Sequence, residues 1–404
     1  MSKKKNRKWS KFRHRFLTWF LKLPFKIVMK IRYGIKYKKF KSKEPYLVLS
    51  NHQTVVDQFI IAFILNNRTY YVMSDDVASI PFLSKLLDFA LKPIPYKKSS
   101  TDFGILRNCK KIAEEKCNIV IFPEGNRTYS GKTEHINPTI AKMIKFIKLP
   151  IAFVQIRGGY GVSPRFGEKP RKGPFNVSVV KTYSYNEYKD MSDEELNKLI
   201  KEQLYVDESI PDHKYRSKRL AEYLERAIYQ CPTCGVTHFE SNKDILKCTT
   251  CSLELRYRQD KQFETLDGSN PPFKNVNEWY NYQQETLLNT NLSELDENKV
   301  IINDEVKFLK FIPRVKKEVI YDKANIYLYS NRIEIKSGLQ IQTFMFDDII
   351  SAGCFGKNKI SIFLRDDNYQ IKGSKRFNGL KYIQYIYKSK MEKSDNKTDI
   401  FFGL

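Results

Sequence analysis

Residues 46–57 read Tyr-Leu-Val-Leu-Ser-Asn-His-Gln-Thr-Val-Val-Asp. The first five residues are short and apolar and end at polar Asn51, the pattern of a buried strand; a helix is predicted from Asp57 to Leu65. Two more strands stop the same way: Asn118 to Phe122 at Pro123-Glu124-Gly125, and Ile151 to Ile156 near Gly158-Gly159. Helical periodicity fills the intervals, over Asp102 to Cys117 and Ile140 to Lys148, and again over Met191 to Leu204 behind a Ser-Asp-Glu-Glu start signal. Strands alternating with helices predict an α/β layer architecture whose polar strand-end loops form the site.

The same loops carry the candidate chemistry. His52 stands at a strand end and Asp57 five residues later. If the two side chains meet, Asp57 accepts the proton of one ring nitrogen and fixes the tautomer, and the other nitrogen can take a proton from a hydroxyl. The bland alternative for the stretch is a capping Asn beside a satisfied histidine, although a chance Asn-His with a correctly spaced Asp is improbable. The second loop, Phe122-Pro-Glu-Gly-Asn-Arg-Thr128, places Arg127 on a glycine-relaxed turn. There a guanidinium can grip a phosphate through two parallel hydrogen bonds, which Lys cannot copy. In isolation that loop is a surface turn; the two loops in this order point to a site.

The His-x4-Asp box and the Phe-Pro-Glu-Gly-x-Arg box, about 70 residues apart, resemble the glycerolipid acyltransferase family that includes the 1-acylglycerol-3-phosphate acyltransferases. The similarity spans roughly residues 30 to 230. It takes in Leu149-Pro150-Ile151-Ala152-Phe153 and Pro93-Ile94-Pro95-Tyr96-Lys97-Lys98, where the family usually has an Arg that contributes to acceptor binding. Lys97 and Lys98 keep the charge there and lose the bidentate fork. The resemblance implies His52 and Asp57 as catalytic, with acceptor contacts from Asn51, Lys97, Lys98, Glu124, Gly125 and Arg127. It also implies direct transfer from acyl-CoA or acyl-carrier protein to the free hydroxyl of a lysophospholipid, 1-acyl-sn-glycerol-3-phosphate first among them. A covalent acyl-enzyme is not implied, and Cys109 and Cys117 lie in a helical pattern as packing residues. No redox cofactor is expected.

A separate constellation follows. Cys231, Cys234, Cys248 and Cys251 form C-x2-C, thirteen residues, C-x2-C. Such paired knuckles can surround Zn2+ tetrahedrally, so a structural zinc ribbon is expected; an iron centre is the alternative, and disulfides fit poorly without a credible secretory signal. A closed four-sulfur site has no vacant position for substrate. Beyond about residue 320 short strands dominate, over Asn325–Tyr329, Arg332–Lys336, Ile341–Phe346, Lys359–Arg365 and Tyr369–Lys372, and a helix over Asn378–Lys390 closes them. This order resembles a pleckstrin-homology-like or GRAM-like barrel.

The net charge of +26 suggests nucleic acid until it is divided along the chain, for residues 1–43 hold 17 Lys or Arg and no Asp or Glu. Between Phe16 and Ile31 apolar residues alternate with Lys22, Lys26 and Lys30, four apart along one helical edge. No run of about 18 uncharged residues supports a membrane span. A helix lying on the bilayer is expected, its aromatic groups at the headgroup boundary and each cation adding roughly 1 kcal/mol near an anionic leaflet. A signal peptide fits less well, because the lysines interrupt the apolar core and no small-residue cleavage site follows.

The expected fold is α/β: an acyltransferase domain with a mixed sheet flanked by helices, then a zinc ribbon and a small β-rich domain capped by a helix. The boundaries read as a basic membrane-binding arm over 1–40, an acyltransferase domain over 41–215, a helix (Arg216 to Tyr229) and ribbon over 216–260, and a linker or helical segment over 261–318. The β-rich domain then covers 319–393 and a tail 394–404. The expected partners are a phospholipid surface, the lysophospholipid and the acyl donor, at the cytoplasmic face of the membrane as a peripheral or monotopic protein. Two other classes compete: a zinc-ribbon nucleic-acid binder, disfavoured because segment 235–247 is not strongly basic, and a non-catalytic lipid-binding scaffold.

Overall fold

The structure is a computed structural model that describes residues 9, 12–65, 68–74, 89, 91–96, 103–312 and 316–393. It divides into two compact units. The first comprises Met1–Asn126, Ile136–Gly159 and Pro174–Val206, and the second Arg127–His135, Tyr160–Gly173 and Asp207–Leu404.

The first unit is built on seven strands: β1 Ile35–Tyr37, β2 Leu47–Ser50, β3 Thr69–Ser74, β4 Ile94–Tyr96, β5 Asn118–Ile121, β6 Ile151–Arg157 and β7 Phe175–Tyr183, in the order β1-β7-β6-β2-β5-β3-β4. All neighbours pair in parallel except β6 and β7, so the sheet is mixed, as expected. β2 and β5 sit centrally and are buried at every position, which is why they read as unbroken apolar runs rather than alternating ones. The longer helices described in this unit are α1 Phe12–Tyr33, α2 Asp57–Ile64, α3 Phe103–Glu114, α4 Ile140–Ile147 and α5 Asp193–Leu204. Each of the last three buries one stripe: Ile105, Cys109 and Ile112; Ile140, Ala141, Ile144 and Ile147; Leu196, Ile200 and Leu204. Burial pushes the Cys109 thiol up to about 12, which suits a packing residue. A capping box starts α5, with Glu195 N–H donating to Ser192 Oγ and Ser192 N–H to Glu195 Oε2. Helix α1 differs from the rest. Phe12, Trp19, Phe20, Leu23 and Ile31 are each more than half exposed, although the Phe25 ring meets Phe59 of α2 at a tilt, with centroids 5.0 Å apart. Among the described residues no helix is long and apolar enough to cross a membrane.

The second unit carries a two-stranded ribbon, β8 Gln230–Cys231 with β9 Gly235–Val236, and a four-stranded antiparallel sheet of β10 Phe239–Asn242, β11 Ile245–Cys248, β12 Glu254–Tyr257 and β13 Phe263–Thr265. Helix α6, Val276–Asn289, follows. A seven-stranded antiparallel sheet then spans β14 Ile302–Ile312, β15 Lys316–Leu328, β16 Arg332–Ser337, β17 Gln340–Met345, β18 Ser351–Phe355, β19 Lys359–Phe363 and β20 Asn368–Gly373. Its order is β17-β16-β15-β14-β20-β19-β18, two meanders joined by the first strand pairing with the last, and helix α7, Leu380–Glu392, packs on it. The unit's core also takes Tyr129, Tyr160 and Phe166 from the two earlier segments. Phe166 meets Tyr257 edge-on at 6.3 Å, and the Tyr215 ring lies where a Cβ on Gly161 or Gly173 would clash.

Two expectations need correction. The helix expected over Arg216 to Tyr229 is only a 3-10 turn, Leu224–Arg226. Its backbone donors go elsewhere: Ala221 N–H to Lys243 O and Tyr223 N–H to Ser241 Oγ, while Leu220, Ala221, Leu224, Ala227, Ile228 and Tyr229 are all buried. Tertiary hydrogen bonds override a helical-looking period there. The stretch 261–318, read as linker or helix, holds β13, α6 and β14, so the β-rich module begins at Ile302 and not at 319. β14 escaped notice because a bulge between Val306 and Leu309 breaks its alternation.

Candidate active site

Residues 51–57 leave the C-terminal end of β2 and turn into α2. Asn51 is buried, and its amide copies a β-bridge to the neighbouring strand: Nδ2–H donates to Ile156 O at 2.9 Å and Oδ1 accepts from Ile156 N–H at 2.8 Å. Where the β2–β6 ladder would end, this side chain carries it one residue further. His52 is thereby aimed.

His52 Nδ1 lies 2.8 Å from Asp57 Oδ2. A carboxylate only accepts, so the ring proton sits on Nδ1 and the lone pair on Nε2. Asp57 has no solvent exposure, whereas the His52 side chain is 18% exposed. Three further donors hold the carboxylate: Gln53 N–H at 2.7 Å, Thr54 N–H at 2.8 Å and the Thr54 hydroxyl. A buried carboxylate so surrounded is fully satisfied, and the start of α2 suits its charge. The imidazole also stacks on Phe122, with centroids 4.2 Å apart and planes 23° from parallel.

The second loop joins the first through the backbone. His52 N–H donates to Glu124 Oε1 at 2.7 Å, and Glu124 is itself buried. Gly125, at φ +70°, closes the turn by donating to Phe122 O at 3.0 Å. Gly159 comes so close to Gln53 that a Cβ would sit 2.7 Å from its amide oxygen, so a third strand-end loop presses on the same place.

Asn51, His52, Asp57, Glu124 and Gly125 therefore converge. Arg127 falls in the second unit, where its carbonyl accepts from the Arg165 guanidinium at 2.7 Å. Lys97 and Lys98 lie outside the described residues. Asn51, expected to touch the acceptor, is committed to Ile156 instead. Sequence reasoning missed Thr54 and Phe122; Phe122 stands directly before the Pro-Glu-Gly turn, and Thr54 three residues before Asp57 marks a helix start.

In the second unit the four cysteines come together, their sulfur atoms all within 4.8 Å of one another. Cys231 and Cys251 are 3.8 Å apart and Cys248 and Cys234 4.0 Å. A tetrahedral ion with metal–sulfur bonds of about 2.3 Å needs sulfur edges of about 3.8 Å, so the set fits one metal. Thr250 N–H donates to Cys248 Sγ at 3.4 Å.

Residues 34–157, from β1 through β6 and including both loops, match the acyltransferase family model. No curated protein matches the chain. Among solved structures it is similar to the 1-acyl-sn-glycerophosphate acyltransferase of Thermotoga maritima, at 18% identity over 47% of this chain and 75% of that one, with a TM-score of 0.39.

The double hydrogen bond of Asn51 has a measurable consequence. Asn51→Leu removes both bonds and leaves the Ile156 N–H and C=O buried without partners, so denaturant unfolding should show a loss of about 2–4 kcal/mol. A loss within about 0.5 kcal/mol, the range of ordinary surface changes, would remove Asn51 from this role.

Proposed function

We propose that this protein is a membrane-surface O-acyltransferase, moving a fatty acyl group from acyl-CoA or acyl-carrier protein to the free hydroxyl of a lysophospholipid. 1-Acyl-sn-glycerol-3-phosphate is the acceptor we favour, with phosphatidic acid as product. The acyltransferase family match supports acyl transfer in general. The observation that carries the reading is the His52–Asp57 pair, with its lone pair on Nε2 and its backbone fastened to Glu124.

In the proposed step His52 Nε2 takes the proton of the acceptor hydroxyl as that oxygen attacks the thioester carbonyl. The tetrahedral adduct collapses, the C–S bond breaks, and the departing thiolate takes the proton back from the imidazolium. Asp57 steadies the charged ring between these events. Glu124 and Asn51 act as positioning residues, one holding the His52 backbone and the other the strand end. Phe122 fixes the ring plane. Arg127 is the proposed phosphate ligand on the chemistry of its fork, and Lys97 and Lys98 add positive charge for the same headgroup.

Two further parts belong to the reading. Helix α1 lies on an anionic bilayer, because its exposed Phe, Trp, Leu and Ile side chains, rimmed by lysines, match an interface better than water. The four cysteines hold a structural Zn2+, which would cross-link β8–β9 to the turn after β11; zinc contributes no step of transfer there.

His52→Ala should lower turnover of labelled acyl donor in lysolipid micelles by about 10²–10⁴-fold, the usual worth of a positioned base; undiminished turnover ends the mechanism. Trp19→Glu combined with Leu23→Glu and Ile27→Glu should abolish co-sedimentation with anionic vesicles, and unchanged partitioning would refute the α1 interface. Elemental analysis of the purified chain should give about one zinc per molecule, lost in Cys231→Ser/Cys248→Ser. A zinc-free protein of equal stability would count against the metal site.

A further inference from the structure

A polar cavity of about 380 Å³ lies within the second unit, where the Cys-rich sheet meets β14 of the C-terminal sheet and the segment that leads into α7. Four carboxylates line it, Glu225, Glu240, Asp304 and Glu305, against two permanent cations, Arg376 and Lys381. This excess of acid is local, for the chain as a whole carries +26. Both cations are already engaged: Lys381 with Asp304 at 2.7 Å, and Arg376 with Glu225 at 2.5 Å and with Ser241 O at 3.1 Å. Asp304 is satisfied as well, since it also accepts from the Tyr382 hydroxyl at 2.6 Å and lies 3.2 Å from His238 Nε2.

What remains in the lining is acceptor. Glu225 is 2% exposed; Arg376 takes its Oε1, and its Oε2 is buried with no hydrogen-bond partner. A buried carboxylate oxygen left over in a native fold calls for a donor. Glu240 and Glu305 are exposed, and the residues across from them do not neutralise them. Lys247, opposite Glu240, pairs with Glu254 instead at 2.8 Å, and Glu305 stands opposite the neutral Asn325.

We propose that this cavity binds an organic polycation, a ligand whose protonated amines are spaced along an aliphatic chain and seat against Glu225, Glu240 and Glu305. A metal ion is the wrong complement: among the described residues the four cysteines are the one group of three or more ligating side chains gathered closely enough to share an ion. A quaternary ammonium is wrong too, because it offers no N–H to the waiting oxygens, and the aromatic residues of the lining, Tyr229 and Phe239, are buried in the core. Each primary ammonium brings one charge and three donors, so two or more of them can answer carboxylates that stand apart. The volume lies in the range of roughly 300–1,000 Å³ typical of small-molecule sites. The site is separate from His52 and does not depend on the acyl-transfer reading. Its amines can come from a free polyamine or from the lysines of a peptide.

Calorimetric titration of the full chain with spermidine, and separately with trilysine, distinguishes these sources. Saturation at one molecule per chain is expected with at least one probe, and the tighter probe names the source. Glu240→Gln/Glu305→Gln should weaken that binding about tenfold or more, as expected for two lost charge-assisted contacts. Glu194→Gln/Glu202→Gln removes the same charge from exposed positions on α5 and should leave binding unchanged. Absence of saturable binding by either probe overturns the site, as does equal weakening in the two variants or undiminished binding in the first. Competition by Mg2+ as effective as that by the amines at matched ionic strength would reduce the effect to charge screening and overturn it as well.

Discussion

The hydrogen bond from the His52 backbone N–H to the Glu124 carboxylate at 2.7 Å ties the two strand-end loops of the first unit together. His52 lies just past β2, where the ladder supplies no further acceptor for its N–H, and Glu124 is buried, where a carboxylate without donors is costly. Because the bond engages backbone on one side, it fixes where the imidazole starts, and Asp57 then fixes where it points. The Asn51 bridge to Ile156 adds a third strand to the same junction. The site is thus assembled from the ends of three parallel strands, the place where an α/β sheet leaves side chains unclaimed by its core.

The chain does not complete the first unit before beginning the second. Immediately after Asn126 it passes into the second unit, returns for α4 and β6, leaves again at Tyr160 and returns for β7. Those excursions contribute core: Tyr129, Tyr160 and Phe166 pack with the aromatic residues of the Cys-rich sheet. Arg165 shows how firmly they are built in. Its guanidinium lies 4.1 Å from the Tyr129 ring centre while donating to the carbonyls of Arg127 and Cys354. The conformation of the loop that begins with Arg127 is therefore set by packing within the second unit.

Charge is handled differently in different parts of the molecule. Lys381 is buried and paired with Asp304 at 2.7 Å, and Arg226 is buried with Glu168 at 2.7 Å and two carbonyls beside it. These follow the rule that buried charge carries its partner with it. The lysines of β19 and β20, where Lys359 stands opposite Lys372, and the apolar side of α1 break the corresponding rules for charge and for greasy surface. Both departures are confined to one element or one sheet face.

Much of the first unit was legible in the sequence for a local reason. β2, β5 and β6 are buried on both faces, so their apolar runs do not depend on knowing a partner, and α3 to α5 carry a complete stripe or cap within themselves. The His52–Asp57 spacing and the two C-x2-C knuckles are local too. Tertiary structure alone decided what depends on distant residues. It turned Arg216–Tyr229 into a packed turn through hydrogen bonds to the hairpin at Ser241 and Lys243, and it made β14 the joining strand of its sheet despite a bulge. It committed Asn51 to Ile156, 105 residues away, and assigned Arg127 to the second unit. Periodicity reports which face of a segment is buried; it carries no record of which remote backbone group will satisfy a donor, and that is what separates the two sets.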